Sequence, residues 1–469
     1  MTNSPIILWF RRDLRLTDHE ALSAAVRTGR PIIPVFIRDP LLDELGAAAK
    51  LRMGLGIEHF GAELAKQGSK LILRSGDALT VLRKLIGETG AGAVYWSRLY
   101  DPANKTRDIQ IKAALKDNGV EVQSFTGQLL FEPWTVETKT GGFYKVFTPM
   151  WKTVRDRALP MTLPAPGTMP TPADWPRSEN LNDWKMAAPM QRGAEILTQY
   201  CVVGELAARD RLDEFLEDKI DSYVKNRDIP GVDGTSGLSE NLTYGEISPR
   251  QCWHAGWQAL HNGKSGAETF LRELVWREFA YHLAHHTPHL LTGNWKSEWD
   301  SFPWNKEENH KVEAWKQGRT GVPFVDAAMR ELYVTGVMHN RGRMIVASYL
   351  TKHLLTDWKI GLNWFADCLI DWDPCSNAMG WQWAAGSGPD AAPYFRVFNP
   401  VSQLDKFDPK RSYADRWIAE GKKQPTETAR SYFDMVPKHW GLSVSDDYPA
   451  PIVDIKDGRE RALHAYKTR

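Results

Sequence analysis

The segment ETFLRELVWREFAYHLAHHTP, residues 268–288, puts reactive side chains at helical spacing. On a helix, Glu273, Trp276, Arg277 and Ala280 fall at i, i+3, i+4 and i+7 and share one face. Leu271, Leu274 and Val275 fall elsewhere and are free to meet a core. A carboxylate, an indole and a guanidinium beside a small residue can hydrogen-bond and stack on a flat ligand. A salt-bridged solvent face has the same composition, and the pattern alone leaves both readings open. His282, His285, His286 and His289 follow, but Pro288 breaks their spacing and no carboxylate or cysteine completes a ligand set. Packing and capping, with no metal, are expected there.

A second helix with a polar head is predicted in MHNRGRMIVASYLTKHLL, where Asn340, Arg343 or Met344, and Ala347 share one side. DGTSGLSENLTYGEISPRQCW, residues 233–253, clusters hydroxyls and glycines at a predicted helix start. Backbone amides presented there suit a phosphate, although most such clusters are ordinary loops and caps.

The elements that must carry these residues change character along the chain. Up to about residue 130, the runs PIILWF, PIIPVFI, KLILRSG, AVYWS and EVQSF alternate with amphipathic stretches. This predicts a parallel five-stranded sheet covered on both faces, a Rossmann-like α/β domain over 1–130. Thr17-Asp18-His19-Glu20 has the pattern of a capping box at the first helix. No glycine fingerprint follows the first strand, so binding of NAD in the usual manner is not expected. NGKSG fails as a P-loop because Gln258 stands where its first glycine is needed. Residues 131–200, with PMTLPAPGTMPTPADWP, read as an interdomain linker. From 201 to 469 the periodicity is helical and predicts an all-α domain.

The chain has 469 residues, 25% charged and 42% hydrophobic, which fits a globular protein of more than one domain. A net charge of +1 excludes polyanion binding by bulk charge, so a nucleic-acid partner must be met by a local patch. The apolar run before Arg11 and Arg12 is too short for a signal peptide or membrane span, which predicts a cytoplasmic protein without a membrane partner. Four cysteines without a Cys-x-x-Cys pair indicate neither zinc nor disulfides. Twenty tryptophans, most of them beyond residue 250, exceed ordinary core needs.

Six motifs in order carry a resemblance to one family: LWFRRDLRLTDH, KVFTPMW, TSGLS, ELVWREF, MHNRGRM, and DWDPCSNAMGWQW with DAAPYFRVFNP. The chain resembles the DNA photolyase and cryptochrome family, most closely its members that repair cyclobutane pyrimidine dimers. The resemblance implies FAD in the helical domain. Tyr223 and Thr235, Ser236, Gly237, Leu238 and Ser239 would hold it, with Arg277, Arg343, Asp371 and Asp373 in contact and Asn377 at flavin N5. Arg343 and Asp371 would form a buried ion pair. Trp381, Trp358 and Trp304 would relay electrons between flavin and surface. Glu273, Trp276, Asn340, Met344 and Trp383 would line the lesion pocket, and Arg227, Arg341 and Gln403 would contact the DNA backbone. The small residues AAGSG after Trp383 would let chain and ligand pack closely.

The implied mechanism is electron transfer from excited FADH⁻ to a dimer flipped out of UV-damaged DNA, double- or single-stranded, by a monomeric enzyme. Glu273 would stabilise the dimer radical anion as a proton donor, its pKa raised by burial. Gly237 stands where many relatives have a basic residue, and Glu240 where a small residue or proline is usual. WSRLYDPANKTRD lacks the glutamate linked to a folate antenna in some members, so a second chromophore in the first domain is left open among folate, deazaflavin and flavin. The alternative is a cryptochrome-type photoreceptor without repair activity; the absence of a long polar tail after the helical region favours repair. Asn340 in place of histidine, with no cysteine beyond Cys375, argues against the (6-4) photoproduct branch. No hydride-donor site supports a plain flavin oxidoreductase.

Overall fold

The structure is a computed structural model that describes residues 4–390 and 395–469. Ala391–Tyr394, within the DAAPYFRVFNP motif, lie outside the described residues.

Five strands form one parallel sheet in the order β3-β2-β1-β4-β5: β1 (Ile6–Phe10), β2 (Ile32–Arg38), β3 (Ile72–Ser75), β4 (Ala93–Ser97) and β5 (Glu121–Phe125). All five positions of β1 are buried. Ile6, Leu8 and Phe10 join one apolar cluster while Ile7 and Trp9 join another, so the two-residue strand period feeds a core on each face. The α/β expectation is met. The first helix, Glu20–Arg27, is capped differently from the reading above: His19 is the N-cap and its Nδ1 accepts the Leu22 amide. Asp18 is instead drawn to the helical half, where Ser248 Oγ donates to it at 2.5 Å and Arg250 pairs with it.

Among the described residues no strand follows β5; the regular elements after it are helices, apart from one isolated bridge, Asn305 with Thr356. The proline-dense stretch 160–176 holds neither helix nor strand. Within the segment read as a linker, however, lies the helix Phe147–Val154. Its Phe147, Met150, Trp151 and Val154 are buried in the helical half, so this part belongs to that packing unit.

The helical half has two large apolar clusters. One gathers the helices Pro249–His261 and Ala267–His286 with Phe147–Val154, and the other gathers Pro323–Thr335, Asn340–Ser348, Trp358–Cys368 and Pro374–Ala385. Tyr223, Leu238 and Trp276 belong to the first, while Trp304, Trp358, Trp381 and Trp383 belong to the second. The predicted site residues thus come from both sides of the seam between the two clusters.

Candidate active site

The Ala267–His286 helix buries Leu271, Leu274 and Val275, leaving Glu273, Trp276 and Arg277 partly exposed on the stripe read from the sequence. Arg277 Nη1 donates to the Gln128 carbonyl at 2.7 Å, and its guanidinium lies over the Tyr281 ring. Among the described residues its buried Nη2 has no partner. An unpaired buried donor costs about 1–3 kcal/mol.

Trp276 lies flat against Phe147, with ring centroids 3.8 Å apart and planes 4° apart. The contact fixes one face of the indole. Glu273 is not the buried acid expected above: its side chain is 35% exposed, and Arg227 Nη1 donates to Oε1 at 2.6 Å. The burial on which proton donation rested is missing. Arg227 also stands over the Tyr223 ring, which is itself buried edge-on against Phe215.

Across the seam, Arg343 Nη2 donates to both oxygens of Asp371 at 3.0 and 2.8 Å, and its Nε to the Met338 carbonyl. The two charges offset each other's desolvation. Asp373 caps the Pro374–Ala385 helix by accepting the Ser376 amide, and it also accepts the Tyr281 hydroxyl proton at 2.5 Å. Asn377 Nδ2 donates to the Asp373 carbonyl at 2.9 Å. That anchors the amide nitrogen and leaves the oxygen as the free end. Asn340 begins its helix, exposed, with Nδ2 3.9 Å from Met344 Sδ. Trp383 is partly exposed and, among the described residues, makes no ring pair and no side-chain hydrogen bond.

The three relay candidates are all buried, including Trp304, which was expected near the surface and is 6% exposed. The Asn305–Thr356 bridge brings the segments carrying Trp304 and Trp358 together, and Trp304 Nε1 donates to the Thr351 carbonyl. Trp358 Nε1 donates to Asn294 at 2.9 Å. Trp381 packs edge-on against Phe365 and Trp315, and a Cβ at Gly361, on the Trp358 helix, would overlap its ring. In the AAGSG segment the chain packs closely on itself: Gly386 meets the Trp299 ring and Gly388 the backbone of Gln382.

Of the backbone-contact candidates, Arg341 Nη2 pairs with Asp228 at 2.7 Å and its guanidinium stacks over Phe407, while the buried Gln403 Oε1 has no partner among the described residues. The described residues hold no grouping of histidines, cysteines and carboxylates suited to a metal ion. His282 accepts the Tyr144 amide, and burial drives its pKa down to about 4.

Two features escaped the sequence reading. Gln382, between Trp381 and Trp383, is fully buried and bonds the Leu290 and Gly293 carbonyls and the Trp295 amide. Phe147 stood in a quoted motif without a role. Its only signal was an aromatic residue in a stretch otherwise read as a connection.

Residues 270–468 match the family model described as the FAD binding domain of DNA photolyase, and residues 6–171 match that of DNA photolyase. The chain is 44% identical over 472 residues to the deoxyribodipyrimidine photo-lyase of Agrobacterium fabrum, spanning 99% of this chain and 98% of that protein. It is 35% identical to cryptochrome-2 of Arabidopsis thaliana, spanning 97% of this chain and 77% of the relative. A solved bacterial class III photolyase from Agrobacterium tumefaciens superposes with a TM-score of 0.92 at 43% identity, covering 100% of this chain and 98% of that one.

Proposed function

The chain belongs to the DNA photolyase family, and from that premise we propose that it splits cyclobutane pyrimidine dimers in UV-damaged DNA under blue light, with FAD as its cofactor. When bound, reduced FAD supplies the electron that opens the cyclobutane ring and takes it back afterwards.

The observation that carries this reading is the adjacency of Trp276 and Arg277. Consecutive helical residues rise only about 1.5 Å along the axis and point about 100° apart. A ring surface suited to a dimer and a buried donor lacking an acceptor therefore flank the same turn. Arg277, Tyr223 and residues 235–239 hold the cofactor, Arg343 and Asp371 form a charge-balanced wall, and Asn377, its amide nitrogen tied to the Asp373 carbonyl, offers its amide oxygen to the flavin. That oxygen can accept a proton's hydrogen bond without adding charge.

On the DNA side, Trp276 stacks on the extruded dimer with Phe147 backing it, and Glu273 accepts from the pyrimidine edge. Extrusion is the general route by which photolyases reach bases within a duplex, and a lesion with weakened stacking costs less to extrude. Arg227, bonded to Glu273, faces the flanking phosphate and sets the orientation of the strand. The test in cells is survival. Expression of this chain in a UV-irradiated, photolyase-deficient bacterial strain should rescue only cells that are then lit, and equal survival in light and dark would overturn the proposal.

A further inference from the structure

We propose that Arg211 supplies the cation beside the FAD phosphates, and that Arg52, reaching in from the α/β domain, holds it available by balancing two buried glutamates. This rests on the reading of residues 235–239 as the phosphate-holding segment.

Gly237 has φ of +63°, a conformation that disfavours a longer side chain, so residue 237 contributes no charge to the segment. The space above it is taken by Arg211: a Cβ at Gly237 would lie 3.6 Å from the guanidinium carbon. Arg211 Nη1 donates to the Gly237 carbonyl at 3.0 Å, to Glu240 Oε2 at 3.1 Å and to Asn241 Oδ1 at 3.1 Å. Among the described residues nothing accepts from its Nε or Nη2, and the side chain is 25% exposed. It keeps donors to spare for an anion.

Behind it, Glu240 and Glu246 are buried on the same turn-and-helix unit. Arg52, on the Ala47–Lys66 helix of the α/β domain, is fully buried and bonds Glu240 through Nε, and Glu246 and the Val202 carbonyl through Nη2 at 2.6 and 3.0 Å. The Val202 amide donates to Glu240 at 3.0 Å. Two arginines face two glutamates, so the cluster is neutral as built. Without Arg52, one cation would face two carboxylates beside the diphosphate. The excess negative charge would occupy Arg211 and repel the ligand.

Electrostatic sign separates this from a purely structural role. Holoprotein is diluted, released FAD is followed by its fluorescence across a salt series, and melting temperature is recorded in parallel. Arg52→Met should release FAD about tenfold more readily, comparable to the loss of one charged hydrogen bond. Glu240→Gln should hold FAD at least as tightly as wild type, and the Arg52→Met/Glu240→Gln pair should return to near wild type. Arg211→Met should weaken retention and flatten its salt dependence. Arg52→Lys keeps the charge and should retain FAD even if the methionine variant folds poorly. The proposal is overturned if Arg52→Met and Glu240→Gln loosen FAD alike in step with their melting temperatures, or if Arg211→Met leaves retention and salt dependence unchanged. A wild-type chain that holds no FAD would overturn the flavin reading itself, and the arginine brace with it.

Discussion

Arg227 and Glu273 are joined by a 2.6 Å hydrogen bond, linking a backbone-contact candidate to a lesion-pocket candidate. The ion pair fixes Glu273 on the helix face while leaving Oε2 open. Removing Arg227 should weaken dimer-bearing and undamaged oligonucleotides by a similar factor, roughly tenfold at low salt, and should reduce the salt slope by about one. Glu273→Gln should weaken only the dimer-bearing oligonucleotide. Fluorescence anisotropy at several salt concentrations separates the two effects, and a lesion-selective loss in Arg227→Met would reverse the assignment.

Phe147 holds the inner face of Trp276, so its loss should act on stability and on recognition. Phe147→Ala empties a buried site and should cost about 3–5 kcal/mol in denaturant unfolding. Phe147→Leu refills most of the volume without the flat ring. It should recover most of the stability yet bind dimer-bearing DNA several-fold more weakly, because Trp276 is then free to tilt.

Trp381 is buried against Phe365 and Trp315, and among the described residues its indole N–H has no partner. Trp381→Phe keeps the packing and removes the readily oxidised ring. Blue light with an external reductant should then bleach oxidised flavin at least tenfold more slowly, while chemically reduced enzyme still repairs. Unchanged bleaching would remove Trp381 from the relay.

Glu278 is one of the buried carboxyls that make stability depend on pH. It is buried, accepts the Leu130 and Phe131 amides at 2.8 and 3.1 Å, and burial raises its carboxyl to about 7 from an ordinary 4.5, despite the neighbouring Arg277. A raised folded-state value means that the native protein binds the proton more tightly than the unfolded chain. Its stabilising contribution is complete below about pH 4.5 and is lost as pH rises to about 7, in total roughly 3 kcal/mol. Denaturant unfolding across that range should show the fall in wild type and a flatter profile in Glu278→Gln.

Local pattern carried much of the molecule. Alternation in IILWF gives the two-sided sheet, and the 3.6-residue period of residues 268–288 places Glu273, Trp276 and Arg277 on one face with Leu274 and Val275 behind. What it missed depends on partners distant in sequence. Arg52 and Glu240 are 188 residues apart, and the local pattern of the Ala47–Lys66 helix indicates neither the burial of Arg52 nor what it meets. The predicted Thr17–Glu20 capping box did not form: Glu20 pairs with Arg250, 230 residues away in sequence, and His19 took the cap. Phe147 went unread because its helix has only eight residues, too few for a clear period beside a proline-rich stretch.

The most direct measurement illuminates the purified, FAD-bound and fully reduced protein in complex with an oligonucleotide carrying one defined thymine dimer, and follows the intact thymines by chromatography. Blue light should convert bound dimer to two thymines over repeated turnovers, with none formed in the dark. If the flavin is reduced, the complex forms and light is absorbed, yet the cyclobutane ring persists, the chain is not a dimer-splitting photolyase.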